Sequence, residues 1–424
     1  MMRRNNGVSQ DQDKKGAAPA TPEKEMSPYH SRSSSRGVTK TRSTTTSRMK
    51  KNAPVVGVLC IILFVVVSCY IASSIMQQQQ HHHETHFLEE LRGYREQYVP
   101  SSSEQYIMDH AEELGYGTSD YKQAPKGCLI WKDPSLSTPK VHKALTDYSV
   151  EVVKHTKIIA DFEPIPDLLK SIIETGSHDV CATARPHPDG LNALFPSNQL
   201  SLTNSGYVEP LAPPLRTMDL CKDVKPSTDE IMKLDYLVHD FEAMCHKLKP
   251  NSKRILIDMG ASLVFKKGST PMLELMDLYE KFGFNFDHIY AFELKYTDPK
   301  KVYQNLLPEK YIPAFHWMNV GVDKTEGHKL NPLHSLLKTF TEDDFVVIKL
   351  DIDTASIENP LAHQLLDDKD GVYHKLVDQF YFENHVVLAE IAPWWGKSMK
   401  GSVKDSLHLF QGLRKKGIPA HYWP

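Results

Sequence analysis

The chain contains no Asn-x-Ser/Thr sequon, only six cysteines among 424 residues, and no charged side chain between positions 55 and 76. The missing sequon excludes N-linked glycans. The cysteines (Cys60, Cys69, Cys128, Cys181, Cys221, Cys245) are too widely spaced for a zinc motif, which leaves disulfides as their expected use in an oxidising compartment. The uncharged stretch, VVGVLCIILFVVVSCYIASSIM, is 22 residues long. At about 1.5 Å per residue, a helix of that length covers the roughly 30 Å hydrocarbon core of a bilayer. A buried core helix seldom stays apolar on every side for so long, so residues 55–76 predict a transmembrane signal anchor with the lipid bilayer as a partner.

Lysine and arginine are also missing from residues 52–91, whereas residues 1–53 carry twelve of them against four acids, Asp11, Asp13, Glu23 and Glu25. Basic flanks stay in the cytosol, so the expected topology is a single-pass type II membrane protein of the Golgi or ER, with residues 77 onward in the lumen. A cleaved signal peptide does not fit a 53-residue lead and so long an apolar run. Of 50 basic and 53 acidic residues in all, 38 and 49 lie beyond the tail, a lumenal net charge of −11 that argues against nucleic acid as a partner. The four lumenal cysteines would form one or two disulfides, with three pairings open.

The tail, 1–53, is rich in Ser, Thr and Arg, is poor in large apolar residues and should be disordered. Residues 77–100 open with QQQQ and HHH and read as a polar stalk, although clustered histidines can also bind metal. Between 101 and 229 the pattern is irregular: a helical stretch at 141–159 and a loop-rich segment at 184–216 mark an accessory region. From 230 to 424 apolar β runs alternate with amphipathic helical ones, the signature of a parallel sheet with crossover helices. The runs RILIDMGA, HIYAFELK, PAFHWMNVGV, FVVIKLDID and DQFYFENHV, with helical candidates at 271–283, 299–307, 332–340, 359–368 and 403–417, predict an α/β, Rossmann-like domain ending in the short run PAHYWP.

In such a sheet ligands bind beyond the carboxyl ends of the strands, where the strand order reverses. The predicted ends carry Asp258, Gly260 and Ala261, then Glu293, then Asp351 and Asp353, then Glu383 and His385. Acids after four of five strands would gather along one edge. Gly260 permits a tight turn against a ligand, and a carboxylate after the second strand can accept ribose hydroxyls. The loop GASLVFKKG lacks the G-x-G-x-x-G pyrophosphate fingerprint, which disfavours a dinucleotide but not a cofactor with ribose and no pyrophosphate.

The succession IDMGAS, AFELK, NVGV and VVIKLDIDTASIE, over about 250–390, resembles the FkbM-type branch of S-adenosylmethionine-dependent methyltransferases. The resemblance implies a methyltransferase-type sheet that binds S-adenosyl-L-methionine. Asp258, Gly260 and Ala261 would form the methionine-side loop, Glu293 would hold the ribose, and Asp351 would face cofactor or substrate. The chain departs from the family pattern at Ser262 and Leu263, at Asp353 and Thr354, and at Ser356. The implied activity is O-methylation of a hydroxyl on a small molecule or glycan, with Asp351 or His385 as catalytic proton acceptor.

Two other readings stay open. A type II anchor with a lumenal domain also suits a Golgi glycosyltransferase, in which Asp351-x-Asp353 would hold Mn²⁺ or Mg²⁺ against a nucleotide sugar, with Glu383 and His385 completing the metal site. A non-catalytic scaffold or binding domain is the third. His385 read alone is a surface histidine after a strand. The aromatic pair in PWWGK would stack on a sugar ring or cover the sheet edge.

Overall fold

Six β-branched and aromatic runs form one all-parallel sheet: β1 (Arg254–Met259), β2 (His288–Phe292), β3 (Phe315–Met318), β4 (Phe345–Leu350), β5 (Gln379–Phe382) and β6 (Ala420–Tyr422). Their spatial order is β3-β2-β1-β4-β5-β6. The order reverses between β1 and β4, the position at which sheets of this kind bind their ligands. This is the computed structural model of the chain, and it describes residues 98–126, 135, 138–160, 201–203, 206–211, 234, 236–238, 244, 247–249, 251–263, 270–280 and 284–423. The tail, the apolar run 55–76, most of the stalk and all six cysteines lie outside the described residues. Among the described residues no helix is long and apolar enough to cross a membrane.

Side chains alternate between the two faces of the sheet. Ile255, Ile257, Ile348, Leu350, Phe380 and Phe382 share one core with helices α4 (Ala355–Leu366) and α5 (Val403–Lys415). Leu256, Val347 and Tyr381 share the other with α3 (Pro271–Glu280) through Met272, Leu275, Met276 and Tyr279. Helix α5 forms where Val403, Leu407 and Phe410 recur on one side, and Ser402 starts it. The Ser402 Oγ accepts from Asp405 N at 3.0 Å while the Asp405 carboxylate accepts from Ser402 N at 3.3 Å, a reciprocal cap. Ser402→Ala should lower the unfolding free energy by about 1 kcal/mol, read by urea titration; an unchanged midpoint would mean that packing alone holds the end of α5.

Three helices differ from the sequence reading, and the one expected at 299–307 is a short α turn, Pro299–Lys301, continued as a π-helix, Val302–Leu306. Residues 332–340 split into two short turns, Pro332–Ser335 and Leu337–Thr339. The hydroxyls of Ser335 and Thr339 bond back to the carbonyls of Asn331 (2.9 Å) and Leu336 (2.6 Å), which competes with a continuous helix. Helix α4 begins at Ala355, ahead of the expected 359, and keeps Pro360 inside. Proline withholds the N–H that would serve the Ser356 carbonyl; Lys324 Nζ takes that carbonyl at 2.9 Å instead.

The accessory region joins the same core. Helices α1 (Ser102–Asp109) and α2 (Pro139–Ala160) contribute Ile107, Val141 and Leu145. A buried polar cluster binds that region to the last strand. The Arg414 guanidinium meets Glu209 Oε1 at 3.0 Å and the Ala420 carbonyl at 2.7 Å, and His421 Nδ1 lies 2.9 Å from the Glu209 carboxylate. Tyr98 donates to Glu104 beside it.

Candidate functional site

In register, Asp258 on β1 stands opposite Lys349 on β4, and Lys349 opposite Tyr381 on β5. A period of two then puts Asp351 on the face of Lys349 and Glu383 on the face of Tyr381, so one side of the sheet carries an acid, a lysine and two more acids at its carboxyl edge. Lys349 is 1% exposed in a strand that is otherwise apolar, and its ammonium meets Asp258 Oδ1 at 3.1 Å and Asp351 Oδ2 at 2.8 Å. Just past β6, Trp423 donates its Nε1–H to the same Asp351 oxygen at 3.2 Å.

Burial pushes the Asp258 carboxyl up to about 6 in spite of Lys349. For Lys349, burial alone would pull the ammonium down, but the two carboxylates outweigh it and hold its pKa above the ordinary value. Burial likewise works against Asp351, yet the Lys349 ammonium keeps that carboxyl below the usual range. Asp258 Oδ2 is buried without a hydrogen-bond partner. An orphan carboxylate oxygen at the end of β1 is an unfilled demand for a donor.

Gly260 has φ +100°, and a β-carbon there would lie 1.6 Å from the Asp351 carbonyl oxygen. The sequence reading assigned this freedom to a ligand; the structure assigns it to the close passage of the β1 and β4 loops. The same turn ties to β2, because Gly260 N and Ala261 N both donate to the Phe292 carbonyl, at 3.0 and 2.9 Å. Glu293 follows directly. Its Oε1 accepts from Lys295 N at 2.6 Å, and Asn319 holds the backbone on both sides by donating to the carbonyls of Glu293 and Lys295 at 2.7 and 2.9 Å.

Asp351 and Asp353 do not converge. Asp351 faces Lys349, whereas Asp353, in the left-handed region at φ 56°, carries its carboxylate into solvent and lies 3.9 Å from His385 Nε2. Nor is His385 a surface residue: it is 1% exposed, stacked on Trp395 at 4.5 Å between ring centres, with Nε2 2.8 Å from Glu383 Oε2. Trp395 also donates its Nε1–H to Glu383 Oε1 at 2.9 Å, so this tryptophan covers the edge group. Burial, reinforced by the Asp351 charge, raises Glu383 to about 8. His385 would be lowered by burial, but the hydrogen bond and charge of Glu383 raise it.

Sequence reading missed four contributors: Lys349, Glu358, Trp423 and Ser398. The lysine had a signal, since a charge inside FVVIKL must be paired if the strand is covered on both faces. Glu358 sits one turn into α4, where its Oε1 accepts from Ile352 N at 2.8 Å and burial raises it to about 7. Comparison with protein-family models, curated proteins and solved structures found no match to this chain.

Proposed function

We propose that the β1/β4 crevice binds S-adenosyl-L-methionine and that the domain methylates a hydroxyl, on a small molecule or a glycan. The observation that carries the reading is the orphan Asp258 Oδ2 at the strand-order reversal, which suits the ammonium group of a methionine moiety. Glu293, tied to the Gly260 turn through Phe292, has one oxygen engaged by Lys295 and suits a ribose with the other. When bound, the cofactor supplies a methyl group on a sulfonium: the S–CH₃ bond breaks as the O–CH₃ bond forms, and the acceptor hydroxyl gives up its proton.

The chain's own part is positioning and proton handling. Asp258, fixed by Lys349, holds the cofactor's charged end. His385 and Glu383, 2.8 Å apart, form the pair that handles the acceptor's proton; Asp351, occupied by Lys349 and Trp423, orients rather than accepts. On the same reading residues 55–76 anchor the domain on the lumenal side of a Golgi or ER membrane. Calorimetry of the full-length chain should detect S-adenosylhomocysteine binding, and Glu293→Ala should weaken it about tenfold or more, which is roughly 1.4 kcal/mol. Undiminished affinity in that variant would remove the ribose assignment. Binding only of a nucleotide diphosphate with Mn²⁺ would sink the methyltransferase reading in favour of a glycosyltransferase.

A further inference from the structure

The loop after β4 and the loop after β5 bring three ligand-type atoms together, from Asp353, Glu383 and His385, all within 4.8 Å of one another. The hydrogen bonds around His385 show what that arrangement requires. Ser398 Oγ gives its single hydrogen to the Trp395 carbonyl at 2.7 Å, so at 3.0 Å it can only accept from His385 Nδ1–H. With Nδ1 fixed as the donor, His385 Nε2 and Glu383 Oε2 confront each other at 2.8 Å as two acceptors. One positive centre, a proton or a cation, must lie in that space.

A second observation points to the larger charge. Glu358 Oε2 is buried with no hydrogen-bond partner in a side chain that is 1% exposed, and its carboxylate interacts with His385 and with the charges of Asp351 and Asp353. Asp258 and Asp351 share Lys349 as counter-ion, while the carboxylates of Asp353, Glu358 and Glu383 lie around His385. A proton between Glu383 and His385 balances one of these charges, whereas a divalent cation balances two.

We infer that Asp353, Glu383 and His385 Nε2 form a divalent-cation site, with the buried Glu358 carboxylate adding charge behind it. Two carboxylates and one imidazole, mostly hard donors, suit Mn²⁺. Bonds of about 2.0–2.2 Å set neighbouring ligand atoms roughly 3 Å apart and opposite ones about 4.3 Å apart, so the Asp353 carboxylate needs to move in by about 1 Å. Asp353, whose side chain is 86% exposed, is free to make that movement. Ser398 then acts as the outer partner that fixes the imidazole tautomer. The remaining positions on the ion face solvent beside Asp353 and would take an acceptor oxygen. That role rests on the methyl-transfer reading: the ion, rather than the imidazole, would acidify the hydroxyl, and the proton would leave to solvent.

The test is Mn²⁺ binding by the full-length chain after chelator treatment, read by electron paramagnetic resonance. One tightly held Mn²⁺ per chain is expected. Asp353→Asn should weaken it tenfold or more without moving the unfolding midpoint, because asparagine tolerates the left-handed backbone as aspartate does. Glu358→Gln should weaken it too. No binding at millimolar Mn²⁺, or affinity unmoved in Asp353→Asn, overturns the site. S-adenosylhomocysteine titrated separately tells the two ideas apart: its binding without Mn²⁺ removes the cation site alone, and Mn²⁺ binding without it removes the cofactor reading alone.

Discussion

Gly260→Ala is expected to lower the unfolding free energy by about 2–5 kcal/mol and to abolish S-adenosylhomocysteine binding. Two effects combine. At φ +100° an L side chain is strained, and the added β-carbon would lie 1.6 Å from the Asp351 carbonyl oxygen, 2.4 Å from its carbon and 2.9 Å from Ile352 Cγ2. The first two contacts are backbone and cannot rotate away. Relief requires the β1 loop to part from the β4 loop, and that would break the bonds from Gly260 and Ala261 to the Phe292 carbonyl and displace Glu293. Gly327 supplies the control. Its φ is +77° and a β-carbon added there would meet nothing within 4 Å, so Gly327→Ala should show strain alone, about 1–2 kcal/mol. Urea denaturation followed by tryptophan fluorescence measures both. If the two variants lose the same stability, the contact with Asp351 is relieved by relaxation and the loop pairing is not what makes Gly260 necessary.

The sheet was legible because its central strands, β1, β4 and β5, are buried and read as continuous apolar runs, each closed by an acid or a glycine. All six predicted runs contain a strand, and the acids do end up at one edge. What the sequence left hidden is which acids meet which partners. Asp351 and Asp353 stand two apart and look like a metal-binding pair, but the left-handed turn at Asp353 sends their side chains different ways. That turn is a backbone property which aspartate permits without announcing. His385 looks like a surface residue because nothing local reveals that Trp395, ten residues on, folds back over it. Lys349 is the opposite case. Its signal was present in the strand itself, since an ammonium in an apolar run is stable only beside carboxylates, and Asp258 lies on the neighbouring strand because the order there is β1 next to β4.

Lys349→Met should therefore destabilise the fold by about 3–5 kcal/mol at neutral pH, since it leaves the buried Asp258 and the partly buried Asp351 without their counter-ion. The pH dependence separates this from lost packing. Asp258, raised to about 6 even with the ammonium beside it, favours the fold fully below its ordinary value of 3.8 and loses that contribution as pH rises through about 6. Asp351, held low by Lys349, works in the other direction: its contribution is present above the ordinary carboxylate range and lost as pH falls through its lowered folded value. Removing the ammonium moves both carboxyls upward, so both then favour the protonated form. The deficit of Lys349→Met relative to wild type should be largest near pH 8 and shrink toward pH 5, and adding Asp258→Asn should restore part of the loss at pH 8 only. Urea titrations at the two pH values decide it. A deficit independent of pH would make Lys349 a packing residue, in which case the orphan Asp258 oxygen would no longer be held in place by charge, and the cofactor reading built on it would lose its support.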